Sequence, residues 1–105
     1  MQVINDNSFK SEVLESELPV VLDFFAEWCG PCQMLLPVIE EMAAAYEGKV
    51  KFVKIDTDES PNTARNYEVK SIPTLLVFKG GQPVARGVGY MDKNRLQNFI
   101  EENAL

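Results

Sequence analysis

The sequence predicts an α/β fold, a three-layer α/β/α sandwich in which helices cover both faces of a mixed sheet of about five strands. Residues 20–25 form a continuous apolar run typical of a strand buried on both faces, residues 50–55 look like another strand, and a segment of helical spacing lies between them. Two further β-rich stretches are joined by Gly80-Gly81, which indicates an antiparallel hairpin. Because the 105 residues show no repeat or linker, we expect a single domain over residues 1–105.

The N-terminal half predicts helix, strand, helix and strand in that order. Apolar spacing within residues 9–14 indicates a first helix that ends before Pro19. The strand at 20–25 is interrupted by one carboxylate, and helical spacing then continues over about residues 29–46. Together with the strand at 50–55, these elements predict a right-handed parallel crossover.

The C-terminal half predicts a short helix, a hairpin and a final helix. Ser60 is placed to cap a helix that has Pro61 at its first position. The hairpin strands cover residues 74–78 and 84–89, and Asp92 is placed to cap the last helix. The chain therefore supplies four helices for the two faces of the sheet.

Composition limits the classes of partner. The chain has 10 basic and 16 acidic residues, a net charge of −6, so phosphate backbones and anionic membranes would repel it. No apolar stretch approaches the ~20 residues needed to cross a bilayer, and the N-terminus carries no signal-like apolar block. We expect a monomeric cytoplasmic protein that binds neither nucleic acid nor membrane; an organellar stroma or matrix is the alternative if a transit peptide has been removed.

The cysteine and histidine counts point to redox chemistry rather than metal binding. Two cysteines are too few for a disulfide-stapled scaffold, and the chain contains no histidine, the commonest general base and metal ligand. A zinc site needs about four ligands, which only a dimer or added carboxylates could complete here. We therefore expect no metal, although two inert core cysteines remain an alternative.

The two cysteines lie in the motif Cys29-Gly30-Pro31-Cys32, between a buried strand and a helix. Three-residue spacing at a helix start brings both sulfurs to one side of the first turn, close enough to form a disulfide. The helix N-terminus favours an anion, so we expect Cys29 to be exposed, to have a lowered pKa and to act as the nucleophile. Cys32 would then resolve the mixed disulfide.

The motif extends into a longer similarity. Residues 23–32 read Asp-Phe-Phe-Ala-Glu-Trp-Cys-Gly-Pro-Cys and resemble the active-site segment of thioredoxins. The likeness continues, in family order, through Lys54-Ile55-Asp56, Ser71-Ile72-Pro73-Thr74-Leu75, Phe78-Lys79-Gly80-Gly81 and Val88-Gly89. It covers nearly the whole chain and implies a thioredoxin-like fold. The implied function is that of a protein-disulfide reductase and electron carrier that maintains redox homeostasis.

The resemblance also implies roles for residues around the cysteines. Asp23 lies on a buried strand, where desolvation should raise its pKa, and the resemblance makes it the proton acceptor for Cys32. Lys54 resembles the lysine that tunes this carboxylate, although a lysine alternating with apolar residues can equally face solvent. Gly30 and Pro31, between the cysteines, are the remaining redox-tuning positions.

A substrate surface is implied on the other side of the cysteines. Trp28, Ile72, Thr74 and Gly89 resemble the apolar surface that surrounds the thiols, and Pro73 matches a family proline that follows a cis peptide bond. From the residues alone, Pro73 and Gly89 would be turn residues and Trp28 could serve packing.

The implied partners are client proteins with disulfides and a thioredoxin reductase that uses NADPH or ferredoxin. No cofactor is expected beyond the redox-active disulfide Cys29–Cys32. Phe25 and Gln33 stand where many thioredoxins have tryptophan and lysine, so potential and partner preference can differ. An oxidase or isomerase on the same fold, and a binding subunit that uses the surface near Trp28, are the alternative functions.

Overall fold

The computed structural model describes residues 1–105 and contains one five-stranded sheet with four helical segments. The strands are β1 (Gln2–Ile4), β2 (Val20–Phe25), β3 (Lys51–Asp56), β4 (Thr74–Lys79) and β5 (Gln82–Val88). The helices are α1 (Gly30–Ala45), α2 (Pro61–Asn66) and α3 (Lys93–Asn103), and a π-helical turn covers Lys10–Leu14. No helix combines the length and the apolar character required to cross a membrane. The predicted α/β class with a mixed sheet is confirmed.

The sheet places β2 at its centre, in the order β1-β3-β2-β4-β5. β3 runs parallel to both β1 and β2, whereas β4 is antiparallel to β2 and β5. In this register Asp23 of β2 lies opposite Lys54 of β3 and Leu75 of β4. The backbone of Asp23 is therefore flanked by a paired strand on each side.

Successive side chains of β2 point to opposite faces of the sheet and contribute to two apolar clusters, one on each face. Val21 faces the cluster that contains residues of α1 and α3, including Leu35 and Leu96. Leu22 faces the cluster that contains Val13 of the π-helical turn and residues next to and within α2. Because helical residues contribute to both clusters, the predicted three-layer arrangement is confirmed.

The N-terminal segment differs in detail from the sequence prediction. β1 was not located by periodicity, because its three residues are too short for a pattern and two of them are exposed. The predicted first helix is a single π-helical turn that ends at Leu14, closed by a hydrogen bond from the Glu15 N–H to the Lys10 carbonyl. The chain then runs to β2 without helical structure through Pro19.

Helix α2 is capped by a residue distant in sequence. Ser60 occupies the N-cap position, but its side chain accepts no hydrogen bond from the helix, so the predicted cap is wrong. The Asp6 carboxylate accepts the N–H groups of Asn62 and Thr63 at 3.1 and 2.9 Å, while the Asp6 N–H donates to the Ser60 hydroxyl at 3.3 Å. These hydrogen bonds connect the segment after β1 to the start of α2. At α3, by contrast, Asp92 accepts the Arg95 N–H at 2.9 Å, as predicted.

The β4–β5 hairpin turns on Gly80 and Gly81, which have φ values of +60° and +78°. Both lie in the left-handed region that glycine adopts without steric penalty. A Cβ at Gly81 would lie 2.9 Å from the carbonyl oxygen of Leu14, whereas a Cβ at Gly80 would meet nothing within 4 Å. The hairpin tip therefore rests against the π-helical turn.

The two glycines allow a matched stability test. Gly80→Ala should lower the free energy of unfolding by about 1–2 kcal/mol through left-handed strain alone. Gly81→Ala adds a backbone overlap and should lower it by about 1–3 kcal/mol more. Urea denaturation of both variants measures the difference. Equal losses would show that the Leu14 contact does not constrain the turn.

Candidate active site

The two cysteines lie at the junction of β2 and α1. Cys29 is the N-cap residue of α1, with Gly30 and Pro31 at the first helical positions. The structure contains the Cys29–Cys32 disulfide, with the two Cα atoms 5.3 Å apart. The Cys32 N–H, which has no partner within the helix, donates to the Cys29 sulfur at 3.2 Å. An N–H donor and a helix N-terminus are both groups that favour negative charge on a nearby sulfur.

The predicted exposure of Cys29 is wrong for the disulfide form. Cys29 and Cys32 are each only 4% exposed. They pack with Ala26, and the side chains of Phe25 and Ile72 contact this small cluster. The Cys29 sulfur lies 3.8 Å from the Ile72 carbonyl oxygen, so the loop before β4 covers it. In the disulfide form, both sulfurs are therefore largely shielded from solvent.

An exposed rim surrounds the disulfide. Trp28 is 72% exposed, and its indole N–H donates to the Asp58 carboxylate at 2.7 Å. Gly30 and Pro31 are also exposed, while Ile72 is partly exposed. The indole is thus held in place by its polar edge while its apolar faces remain available for contact.

The loop before β4 is fixed from within. The Ile72–Pro73 peptide bond is cis, as the resemblance implied, and the Pro73 carbonyl accepts the Gly89 N–H at 2.8 Å. Gly89 has a φ of +91°, which favours glycine and supports the turn interpretation. Thr74 is 1% exposed and its hydroxyl donates to the Ser71 carbonyl at 2.6 Å. Thr74 therefore lies beneath the surface around the cysteines, and its hydroxyl bonds within the loop.

Asp23 lies at the bottom of a cleft on the other side of the cysteines. Asp23 is 2% exposed, and its Oδ1 atom has no hydrogen-bond partner. Burial raises the pKa of this carboxyl group to about 7, although the positive charge of Lys54 acts in the opposite direction. The cleft is lined by Asp23, Phe25, Ala26, Glu27, Cys32, Gln33, Leu36 and Lys54. The structure thus brings together the buried carboxyl, the second cysteine and the lysine.

Two polar contacts of the site escaped sequence reasoning. Asp58 holds Trp28, and Gln33 donates from its side-chain amide to the Glu27 carbonyl at 2.7 Å. The second contact ties α1 to the segment that precedes the cysteines. Only the position of Gln33 beside Cys32 offered a signal, whereas Asp58 lies 30 residues from Trp28 in an acidic loop without a motif.

Comparisons with known proteins agree with this geometry. The thioredoxin family model matches residues 1–102. The chain belongs to the thioredoxin family. It is 56% identical to a thioredoxin of Synechocystis over 94% of this chain and 92% of the relative. It is 51% identical to thioredoxin 1 of Nostoc over 95% and 94%, and 48% identical to an M-type chloroplastic thioredoxin of Chlamydomonas reinhardtii over 94% and 71%.

Thioredoxins are protein-disulfide oxidoreductases, and this family member has the disulfide that such chemistry requires at the start of α1. The protein reduces protein disulfides by thiol–disulfide exchange through Cys29 and Cys32. No cluster of three or more histidine, cysteine, aspartate or glutamate side chains is arranged to hold a metal ion.

Proposed function

We propose that Cys29 is the attacking thiolate, Cys32 the resolving thiol and Asp23 the proton acceptor for Cys32. Cys29 attacks one sulfur of a client disulfide, forms a mixed disulfide and releases the other client sulfur as a thiolate. Cys32 then loses its proton to Asp23 and attacks the Cys29 sulfur, which closes the disulfide and releases the second client thiolate. Two electrons pass to the client, and the protein ends oxidised.

The observation that carries this assignment is the hydrogen bond from the Cys32 N–H to the Cys29 sulfur. It selects Cys29 as the sulfur that receives both an amide donor and the field of the helix N-terminus. Cys32, one turn inside the helix, lines the cleft with Asp23 instead. The two sulfurs therefore have different surroundings, which suits one for attack and the other for resolution.

Asp23 suits the acceptor role because its pKa of about 7 lets it hold or release a proton near neutral pH. Its unpartnered oxygen is open to a proton donor, and Lys54 supplies the positive charge that limits the rise in pKa. Gly30 and Pro31 tune the dithiol by setting how α1 begins between the sulfurs.

Client proteins would contact the exposed rim. Trp28 and Ile72 offer apolar contact, and Gly89 lies beside the loop through its bond to Pro73. Pro73 and Thr74 lie beneath this surface and shape it. A client backbone could follow the loop before β4 and bring its disulfide toward Cys29.

The cycle needs a source of electrons, for which we propose a thioredoxin reductase that draws on NADPH or ferredoxin. The protein would act as a monomeric single domain over residues 1–105, without a bound cofactor. The continuous sheet, which joins β1 to β5, supports the single domain. Similarity to cyanobacterial thioredoxins and to a chloroplastic M-type thioredoxin supports a place in the cytoplasm or stroma.

Asp23→Asn tests the proton acceptor. With no carboxylate to take the Cys32 proton, resolution of the mixed disulfide should slow by about ten- to a hundred-fold at pH 7. Rapid-quench single-turnover reduction of insulin separates this step from the attack by Cys29. Asp56→Asn is the control, because Asp56 is buried but already accepts N–H groups of Asp58 and Glu59. An unchanged resolving rate in Asp23→Asn would exclude the role.

The same variant should be more stable than the wild type at high pH. The pKa of Asp23 is higher in the folded state than in the unfolded state. Protonation of Asp23 therefore contributes stability that is fully present below about pH 4 and is lost as the pH rises through about 7. The pKa difference of about three units corresponds to a free energy on the order of 4 kcal/mol. Above pH 7, the free energy of unfolding of Asp23→Asn should therefore exceed that of the wild type by about this amount, and near pH 4 the two should be equal. Urea denaturation of both proteins near pH 4 and above pH 7 measures the two differences in free energy of unfolding.

A further inference from the structure

The Lys54 ammonium has an aromatic rather than an anionic neighbour. Its Nζ atom lies 5.0 Å from the centroid of the Phe25 ring. The ion pairs of the structure are Lys51–Glu12 and Lys93–Glu41, so Lys54 has no carboxylate oxygen within contact distance, and it makes no hydrogen bond. The ring face carries partial negative charge and therefore attracts this cation.

The sheet explains why Phe25, Lys54 and Asp23 meet. Asp23 and Phe25 are two residues apart in β2 and therefore project from the same face. Lys54 lies opposite Asp23 in the parallel pair with β3, on that same face. A lysine side chain is longer than the spacing between strands, so it can extend past the buried carboxyl to the ring beside the cleft mouth.

We propose that Phe25 is a positioning residue for disulfide exchange, because its ring face holds the Lys54 ammonium in the cleft beside Asp23. This inference rests on the proposed role of Asp23. A lysine ammonium is strongly hydrated and its stem is flexible, so without the ring it would extend into solvent. Its average distance from Asp23 would then increase, and the ionised carboxylate would lose part of its stabilisation.

No other cation compensates for Lys54. β4 places the apolar Leu75 beside Asp23, and the disulfide-bonded Cys32 and the neutral Gln33 are contributed by α1. Glu27 lines the cleft mouth with a negative charge, which opposes ionisation of Asp23. Asp56, which lies opposite Phe25 in the sheet, is occupied by the loop amides. The position of Lys54 therefore determines how much positive charge Asp23 experiences.

The test follows the Asp23 carboxyl directly, by carbon-13 NMR of the oxidised protein, in which no thiol titrates. Phe25→Leu keeps an apolar side chain but removes the ring face. The titration midpoint of Asp23 should rise by up to about 0.4–0.7 pH unit, because an exposed cation–π contact can bias the position of the Lys54 ammonium by no more than its own energy. Phe25→Trp restores the strongest ring face and should keep the midpoint within about 0.2 unit of the wild-type value.

A second background removes the cation. Lys54→Met should itself raise the Asp23 midpoint, and adding Phe25→Leu to it should then change nothing further. The proposal is overturned if Phe25→Leu leaves the midpoint unmoved, or if it shifts the midpoint equally with methionine at position 54, because the ring would then act through burial. These titrations do not depend on kinetics. Normal resolution by Asp23→Asn would refute the acceptor role but would leave the effect of Phe25 on the Asp23 titration unchanged.

Discussion

Cys29→Ser is expected to abolish insulin reduction, with turnover lowered at least about 10³-fold, the range seen when a catalytic nucleophile is removed. A serine hydroxyl is not ionised near neutral pH, so the hydrogen bond from the Cys32 N–H would face a neutral oxygen instead of a thiolate. Cys32 cannot replace it, because its sulfur lies inside the first turn and lines the Asp23 cleft. Insulin precipitation with dithiothreitol as the electron donor measures the loss.

Cys29→Ser also removes the disulfide, which could change the stability of the protein. Cys32→Ser lacks the same covalent link and therefore serves as the control for stability. Both variants should have similar free energies of unfolding, so a difference in reactivity between them reports on the chemistry of position 29. Turnover by Cys29→Ser above the rate without protein would show that Cys32 can begin the reaction, and it would reverse the assigned roles.

Cys32→Ser is expected to retain the first step and lose the second. Cys29 still forms the mixed disulfide, but no internal thiol displaces the client, so near-stoichiometric covalent complexes should accumulate. Mass spectrometry of the reaction with insulin detects them, and excess dithiothreitol should release them. The double variant with serine at both positions is the control and should trap nothing. Continued turnover without accumulation would mean that another group resolves the complex.

The local parts of the fold could be predicted from the sequence. β2 appears as an apolar stretch, β3 as a second strand-like stretch, and the β4–β5 turn as a glycine pair, because these patterns arise within a few neighbouring residues. The cap that Asp6 provides for α2 could not, since the partners are 56 and 57 residues apart and Ser60 gives a misleading local signal. A contact made only by the folded chain has no periodicity.

In the site too, features set by neighbouring residues could be predicted from the sequence, whereas features set by distant residues could not. Burial of Asp23 follows from its apolar neighbours in β2, whereas the cover over Cys29 depends on the loop at Ile72, 43 residues away. The inward hydroxyl of Thr74 likewise depends on the Ser71 carbonyl, which has no distinguishing sequence pattern. The cis bond before Pro73 came from the family resemblance, because most X-Pro bonds are trans.

The central position of β2 limits how Asp23 can avoid a buried negative charge. Edge strands can fray and let water reach a charged side chain, but β2 is hydrogen-bonded along both sides and has helical layers above and below. Asp23 cannot escape by a local opening, which leaves proton capture as its least costly route to neutrality. The central strand of the sheet thereby makes its buried acid responsive to the sulfur chemistry next to it.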